Sequence, residues 1–139
     1  MIVLDTNVIS ELARPQPMPQ VIDWLDSQDA EQIFITSVTV GELLYGLARM
    51  PAGQRRASLT VKVGRLLDDL FDGHTLDYTG RASVEYAKVV VRRTRKGLPI
   101  EPADAQIAAI CRQHGASLAT RNTRDFAETD VAVIDPWTA

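Results

Sequence analysis

Four acidic residues stand where a folded chain has little structural need of charge. Asp5 directly follows the apolar run Ile2-Val3-Leu4. Glu42 falls in the first turns of a helix expected after a second apolar run, Ile33-Phe34-Ile35. Asp104 is followed by Ile107, Ala108 and Cys111 at helical spacing, so it shares the core-facing side of its helix. Asp125 lies beside Asn122 in the segment after Ser117-Leu118-Ala119-Thr120. Carboxylates gathered at one point repel one another unless a cation holds them, and an all-oxygen ligand set favours Mg²⁺ or Mn²⁺. Each residue also has an ordinary use. Asp5 can cap a following helix, Thr39-x-x-Glu42 has the form of a capping box, Asp104 suits a helix's first turn, and Asp125 suits a turn. The joint pattern, more than any single position, points to metal-assisted chemistry.

The elements that would position these residues can be read from periodicity. Ile2-Val3-Leu4, Ile33 to Thr36, His74-Thr75-Leu76, Ser117 to Thr120 and Val131 to Ile134 read as strands. Between them, helical spacing is expected from Val8 to Ala13, from Val21 to Leu25, and after Ser37 and Thr39, which both offer caps. Longer helices are expected over Gln54 to Leu70, Thr79 to Lys96 and Pro102 to His114, with Gly73, Gly97 and Gly115 just past their ends. Strands alternating with helices predict an α/β/α sandwich with a mainly parallel sheet of about five strands. In such sheets the working site lies beyond the carboxyl ends of the strands, at a topological switch point. That rule would bring all four acids to one end.

The 139 residues suit one domain, and 45% hydrophobic with 24% charged residues is ordinary globular composition. The one cysteine, Cys111, cannot form an internal disulfide, which argues for a reducing compartment. No apolar run approaches the roughly 18 residues of a membrane helix, and the opening residues carry no basic region, so a cytoplasmic location is expected. There is no phosphate-binding glycine loop, no His-Glu-x-x-His and no Gly-x-Ser-x-Gly. His114 shares a helical side with Ile107 and Cys111 and reads as a core-edge residue. The net charge of −3 is unexpected for a chain that binds nucleic acid by bulk electrostatics. Local cations could offset it. Arg121 and Arg124 flank the Asn122–Asp125 segment, and Arg92 and Lys96 share one side of the Thr79–Lys96 helix, a possible phosphate-tracking face whose simpler reading is a solvated helix surface.

Four motifs in order carry a resemblance. Val3-Leu4-Asp5-Thr6-Asn7 looks like the opening motif of PIN-domain proteins, and Thr36 to Gly46 resembles their second motif. Ile100 to Ala109 resembles the third, and Ala119 to Phe126, followed by Val133 to Trp137, the fourth and the tail. The match spans essentially the whole chain and is nearest to the VapC-type toxins of type II toxin–antitoxin systems. The resemblance implies a Mg²⁺- or Mn²⁺-dependent endoribonuclease with Asp5, Glu42 and Asp104 as catalytic positions and Asp5 and Asp104 as the main metal ligands. The fourth acid stays open: some relatives carry it where this chain has Asn122, others at the position of Asp125. Asp125 is favoured because a hard cation prefers a carboxylate to an amide. Asn122 and Thr6 are then auxiliary, and Arg121, Arg124, Arg92 and Lys96 candidate RNA contacts.

The resemblance also implies a homodimer, able to join a larger toxin–antitoxin assembly. A small antitoxin would place an arginine against the carboxylates and lean on apolar residues around Ile9, Leu12 and Trp24. Two other functions compete with this one. A phosphatase of the haloacid-dehalogenase type would need an aspartate two residues after Asp5, where this chain has Asn7. A non-catalytic PIN-like binding module would have no need of all three acids.

Overall fold

A computed structural model describes residues 1–139. The first half of the chain runs β1 (Ile2–Leu4), α1 (Thr6–Leu12), α2 (Pro19–Asp26), β2 (Ile33–Thr36), α3 (Ser37–Arg49), α4 (Gln54–Phe71) and β3 (Thr75–Leu76). The second half runs α5 (Gly80–Arg95), α6 (Pro102–His114), β4 (Ser117–Ala119) and β5 (Val133–Ile134). All strand pairs are parallel, in the order β3-β2-β1-β4-β5. The chain therefore builds outward from β1 in one direction, then returns to β1's other edge with β4. The switch point falls between β1 and β4, which are in register from Ile2 opposite Ser117 to Leu4 opposite Ala119.

Both faces of the sheet are covered, which is why β1 reads as a continuous apolar run with no alternation. Leu4 points into a core shared with Ile9, Leu12, Val21, Leu43, Leu47, Val63 and Phe71, from α1 to α4. Val3 points the other way, into a core of Val89, Ala105, Ile107, Ala108, Cys111, Leu118 and Phe126. Cys111 is fully buried there, and burial pushes its thiol up to about 12, so it is an inert packing residue. No helix is long and apolar enough to cross a membrane.

Most expected elements are present, and Gly97 and Gly115 end their helices at φ +70° and +63°. Several details differ. The capping box Thr39-x-x-Glu42 does not form. The α3 cap is Thr36, whose hydroxyl accepts from the Thr39 amide at 3.1 Å, so the helix starts earlier than Ser37 or Thr39 as caps would allow. His114 is exposed because the last turn of α6 extends beyond the core. Ile9 and Leu12 are buried, and Trp24 packs against the same core, so these residues are occupied in holding α1 and α2 to the sheet. Ile9 and Leu12 therefore offer no apolar surface to an antitoxin, whereas Trp24 stays partly exposed.

One buried cation organises the site end of the fold. Arg93 on α5 is 5% exposed, and none of its nitrogens meets a carboxylate. Its guanidinium donates to the carbonyls of Ala127 (2.6 Å), Pro99 (3.2 Å) and Arg124 (3.5 Å). A single side chain thus ties the segment entering α6 to the 3-10 turn Thr123–Phe126. Its neighbour Arg92 is exposed and meets only Glu128. Arg93→Ala should therefore cost about 3 kcal/mol in urea denaturation, since it strands buried carbonyls. Lysine should recover less than half of this, because an ammonium cannot fork between two segments. Arg92→Ala should stay within about 0.5 kcal/mol.

Candidate active site

The fold places Asp5 one residue beyond β1, where it serves as N-cap of α1 and accepts from the Thr6 amide at 2.8 Å. The residue after β4, Thr120, sits across the switch point, and its hydroxyl donates to Asp5 Oδ2 at 2.8 Å. Asn7 donates to Thr120 Oγ1 (3.1 Å) and weakly to Asp5 Oδ2 (3.5 Å), while its carbonyl oxygen accepts from the Arg121 amide (3.3 Å). Glu42 is exposed on α3, the side chain that the unformed capping box leaves free, and it accepts from the Thr6 hydroxyl at 2.8 Å. Asp104 lies in the first turn of α6 and is half-buried.

Asp5, Glu42 and Asp104 line one open cavity of about 630 Å³, together with Thr6, Asn7, Asn122 and Arg121. Asp125 does not line it. Asp125 shares a smaller cavity of about 230 Å³ with Arg93, Glu101 and Asp104, so Asp104 stands between the two. Of the four expected cations, only Arg121 reaches the main cavity, its guanidinium 5.1 Å above the Trp137 ring. The Arg124 side chain is exposed outside it. Arg92 and Lys96 are engaged with Glu128 at 3.5 and 2.8 Å. On this face of α5 a phosphate would therefore compete with Glu128 for both cations.

The electrostatics follow from this packing. Asp5 is pushed above the ordinary carboxylate range chiefly by burial, with the charges of Glu42 and Asp125 adding to it, while the Thr120 and Thr6 hydrogen bonds pull the other way. Asp104 is raised to about 6 by burial first, then by Asp5, Glu42, Asp125 and Glu101. No three acidic, histidine or cysteine side chains stand close enough to form a ready-made metal cage. Two desolvated carboxylates that repel each other and face an open, polar cavity still suit one kind of ion. Mg²⁺ characteristically binds through one or two carboxylates and keeps several waters. The chemistry of Asp5 and Asp104 fits a hydrated divalent cation, which these two carboxylates would hold.

Asn7 and Thr120 are the site residues that the spacing of acids did not reveal. Thr120 could have been found as the polar residue closing an apolar strand at the switch point.

The comparisons agree with the architecture. The PIN domain family model matches residues 2–132, and the chain belongs to the PIN-domain family. VapC ribonuclease Y4jK of Sinorhizobium fredii is 41% identical over 138 residues, covering 99% of this chain and 98% of the relative. Toxin FitB of Neisseria gonorrhoeae is 39% identical over 137 residues and 99% of each chain. The crystal structure of FitAcB from Neisseria gonorrhoeae matches with a TM-score of 0.91 at 39% identity, over 100% of both chains.

The raised Asp104 acid gives a sign that can be measured in the metal-free protein. A carboxyl that holds its proton more tightly when folded stabilises the fold below its ordinary value near 3.8, and that contribution is lost as pH rises through about 6. Asp104→Asn should therefore melt about 1–3 °C above the parent at pH 7 and no higher than it near pH 4. A variant less stable than the parent at pH 7 would instead mark Asp104 as a helix-start stabiliser.

Proposed function

We propose that this chain is a divalent-metal-dependent endoribonuclease and the toxin partner of a toxin–antitoxin pair, working in the cytoplasm as a single PIN unit over residues 1–139. The observation that carries the reading is the meeting of Asp5, Glu42 and Asp104 from three separate elements in one open cavity at the sheet's switch point. Support also comes from the relatives named as a VapC ribonuclease and a toxin, each covered almost end to end.

In this reading Asp5 and Asp104 would hold Mg²⁺ or Mn²⁺, which would supply Lewis acidity toward the phosphate oxygens and a more acidic water. Asp5 is kept in position by Thr120 and the Thr6 amide, so its free lone pairs face a fixed direction. Glu42 is oriented by the Thr6 hydroxyl through one oxygen, leaving the other to accept the proton of the attacking water. Attack on phosphorus breaks one P–O bond of the chain and releases two RNA ends. Asn122 lines the same cavity as a neutral amide, fit to hold a water or a phosphate oxygen, while Asp125 acts on Asp104 through charge from the neighbouring cavity.

A homodimer, entering a larger assembly with a small antitoxin, completes the proposal. An arginine of the antitoxin would pair with the exposed carboxylates as a charge-matched plug. Its apolar contacts must lie elsewhere than the buried Ile9 and Leu12, with the partly exposed Trp24 still open to it.

The decisive assay is cleavage of RNA by the purified chain with and without Mn²⁺. Asp5→Asn should lower it by at least about 100-fold, the upper end of what loss of a mere supporting partner costs a metal site. Cleavage of small phosphoesters alone would mark a phosphatase, and inertness toward both a binding module.

The fourth position has its own comparison. Asn122→Ala and Asp125→Asn should be assayed side by side for Mn²⁺-dependent turnover. A larger loss at Asn122 is expected, since only Asn122 lines the cavity that holds the three acids. A larger loss at Asp125 would make that residue the fourth acid.

A further inference from the structure

The acidic floor of the main cavity leaves a question: what draws a polyanion to it? A second cavity of about 390 Å³ adjoins the first and shares Ser10, Arg14 and Arg55 with it. It lies between α1 and α4, and its cations are Arg14, Arg55 and Lys62, with no carboxylate among its lining residues. Arg55 and Lys62 are seven residues apart on α4, so they fall on one stripe about 10 Å long. Neither has a carboxylate partner. Lys62 is instead anchored by donating to the Arg14 carbonyl at 2.7 Å, which leaves its charge uncompensated and two protons free. Ser58 adds a hydroxyl between them.

This is the opposite arrangement to the basic run on α5, where Arg92 and Lys96 meet Glu128, and Lys88 meets Glu85. A phosphate bound there would have to compete with carboxylates already in place. At the α1–α4 groove Arg14 is paired with Glu11 at 3.2 Å, but at Arg55 and Lys62 a phosphate would meet no carboxylate already in place.

We propose that Arg55 and Lys62 form a phosphate-binding track that carries the backbone of single-stranded RNA into the cavity of Asp5, Glu42 and Asp104. The inference rests on the ribonuclease reading and adds the path the substrate takes. Arg121 over Trp137 holds the same cavity's other cation that has no acid partner, so the strand meets positive charge in the groove and again inside the cavity. Local charge of this kind steers a polyanion toward a chain whose net charge is −3.

The test measures binding of a fluorescent single-stranded RNA oligonucleotide to the full chain carrying Asp5→Asn, between about 50 and 200 mM salt. Adding Arg55→Gln and Lys62→Gln should weaken binding and flatten the slope of log K against log[salt] by about 0.7 for each cation removed. The charge-keeping pair Arg55→Lys and Lys62→Arg should retain the slope, which separates lost charge from misfolding. Arg92→Gln with Lys96→Gln should leave both affinity and slope unchanged. An unchanged slope in the Arg55/Lys62 double variant overturns the track, whether or not affinity falls. Unchanged RNA binding with loss of a protein partner would assign the groove to that partner and overturn it equally. The underlying reading fails separately, if the parent chain without substitutions cleaves no RNA in Mn²⁺.

Discussion

A carboxylate that is 5% exposed at the end of a β-strand must be hydrogen-bonded or hold its proton, because an isolated buried charge is far too costly. Asp5 answers this with three donors of unequal strength: the Thr6 amide, the Thr120 hydroxyl and, at 3.5 Å, the Asn7 amide. The Thr120 bond exists only because β4 returns to the free edge of β1 in parallel register, bringing residues 115 positions apart side by side. Strand order, the placing of Thr120 and the orientation of Asp5 are thus one constraint. The other site groups are arranged around it: Thr6 turns from Asp5 toward Glu42, and Asn7 links Thr120 to the backbone of Arg121.

Asp104 is the second half of this arrangement and sits under strain of a different kind. Its burial and its acidic neighbours disfavour its charge, and nothing in the protein neutralises it. The nearby buried cation, Arg93, donates through its two terminal nitrogens to three carbonyls and forms no ion pair with Asp104 or Asp125. The result is structural support without charge compensation. Arg93 fixes the two segments that flank Asp104 and Asp125 while leaving their carboxylates open to an outside cation. Such retained, unfavourable charge is the expected mark of a working site.

Charge elsewhere on the molecule is distributed so that the overall balance conceals the local one. Glu85 and Glu128 pair with four cations of α5 and α6, and both acids are held below the ordinary range by them: Glu85 by Arg112 and Lys88, Glu128 by Lys96 and Arg92. At the site end, Arg121 in the cavity and Arg55 and Lys62 in the adjoining groove are cations without acid partners. A count of charges along the chain cannot distinguish the two sets, since both are arginines and lysines on helices or loops.

What the amino-acid sequence determined by itself is the part governed by short-range rules. The apolar run before Asp5, the spacing of Ile107, Ala108 and Cys111 after Asp104, and glycines past α5 and α6 are local signals. They sufficed to place the strands, the helices, the parallel sheet and three of the acids. Tertiary structure decided the rest. Which threonine caps α3 depended on how Thr36 is buried against Thr39, and the answer released Glu42 from a cap it was spaced to form. Whether Asn122 or Asp125 shares a cavity with Asp5 depended on the tight turn at Thr123–Phe126, which directs neighbouring residues to opposite sides of Asp104. Which cations stay unpaired depended on acids 32 to 36 residues away, or on their absence, as in Lys96 with Glu128 and Arg92 with the same Glu128. Hydrogen bonds and ion pairs act over a few ångströms in space, and only the fold sets which distant residues come within that reach.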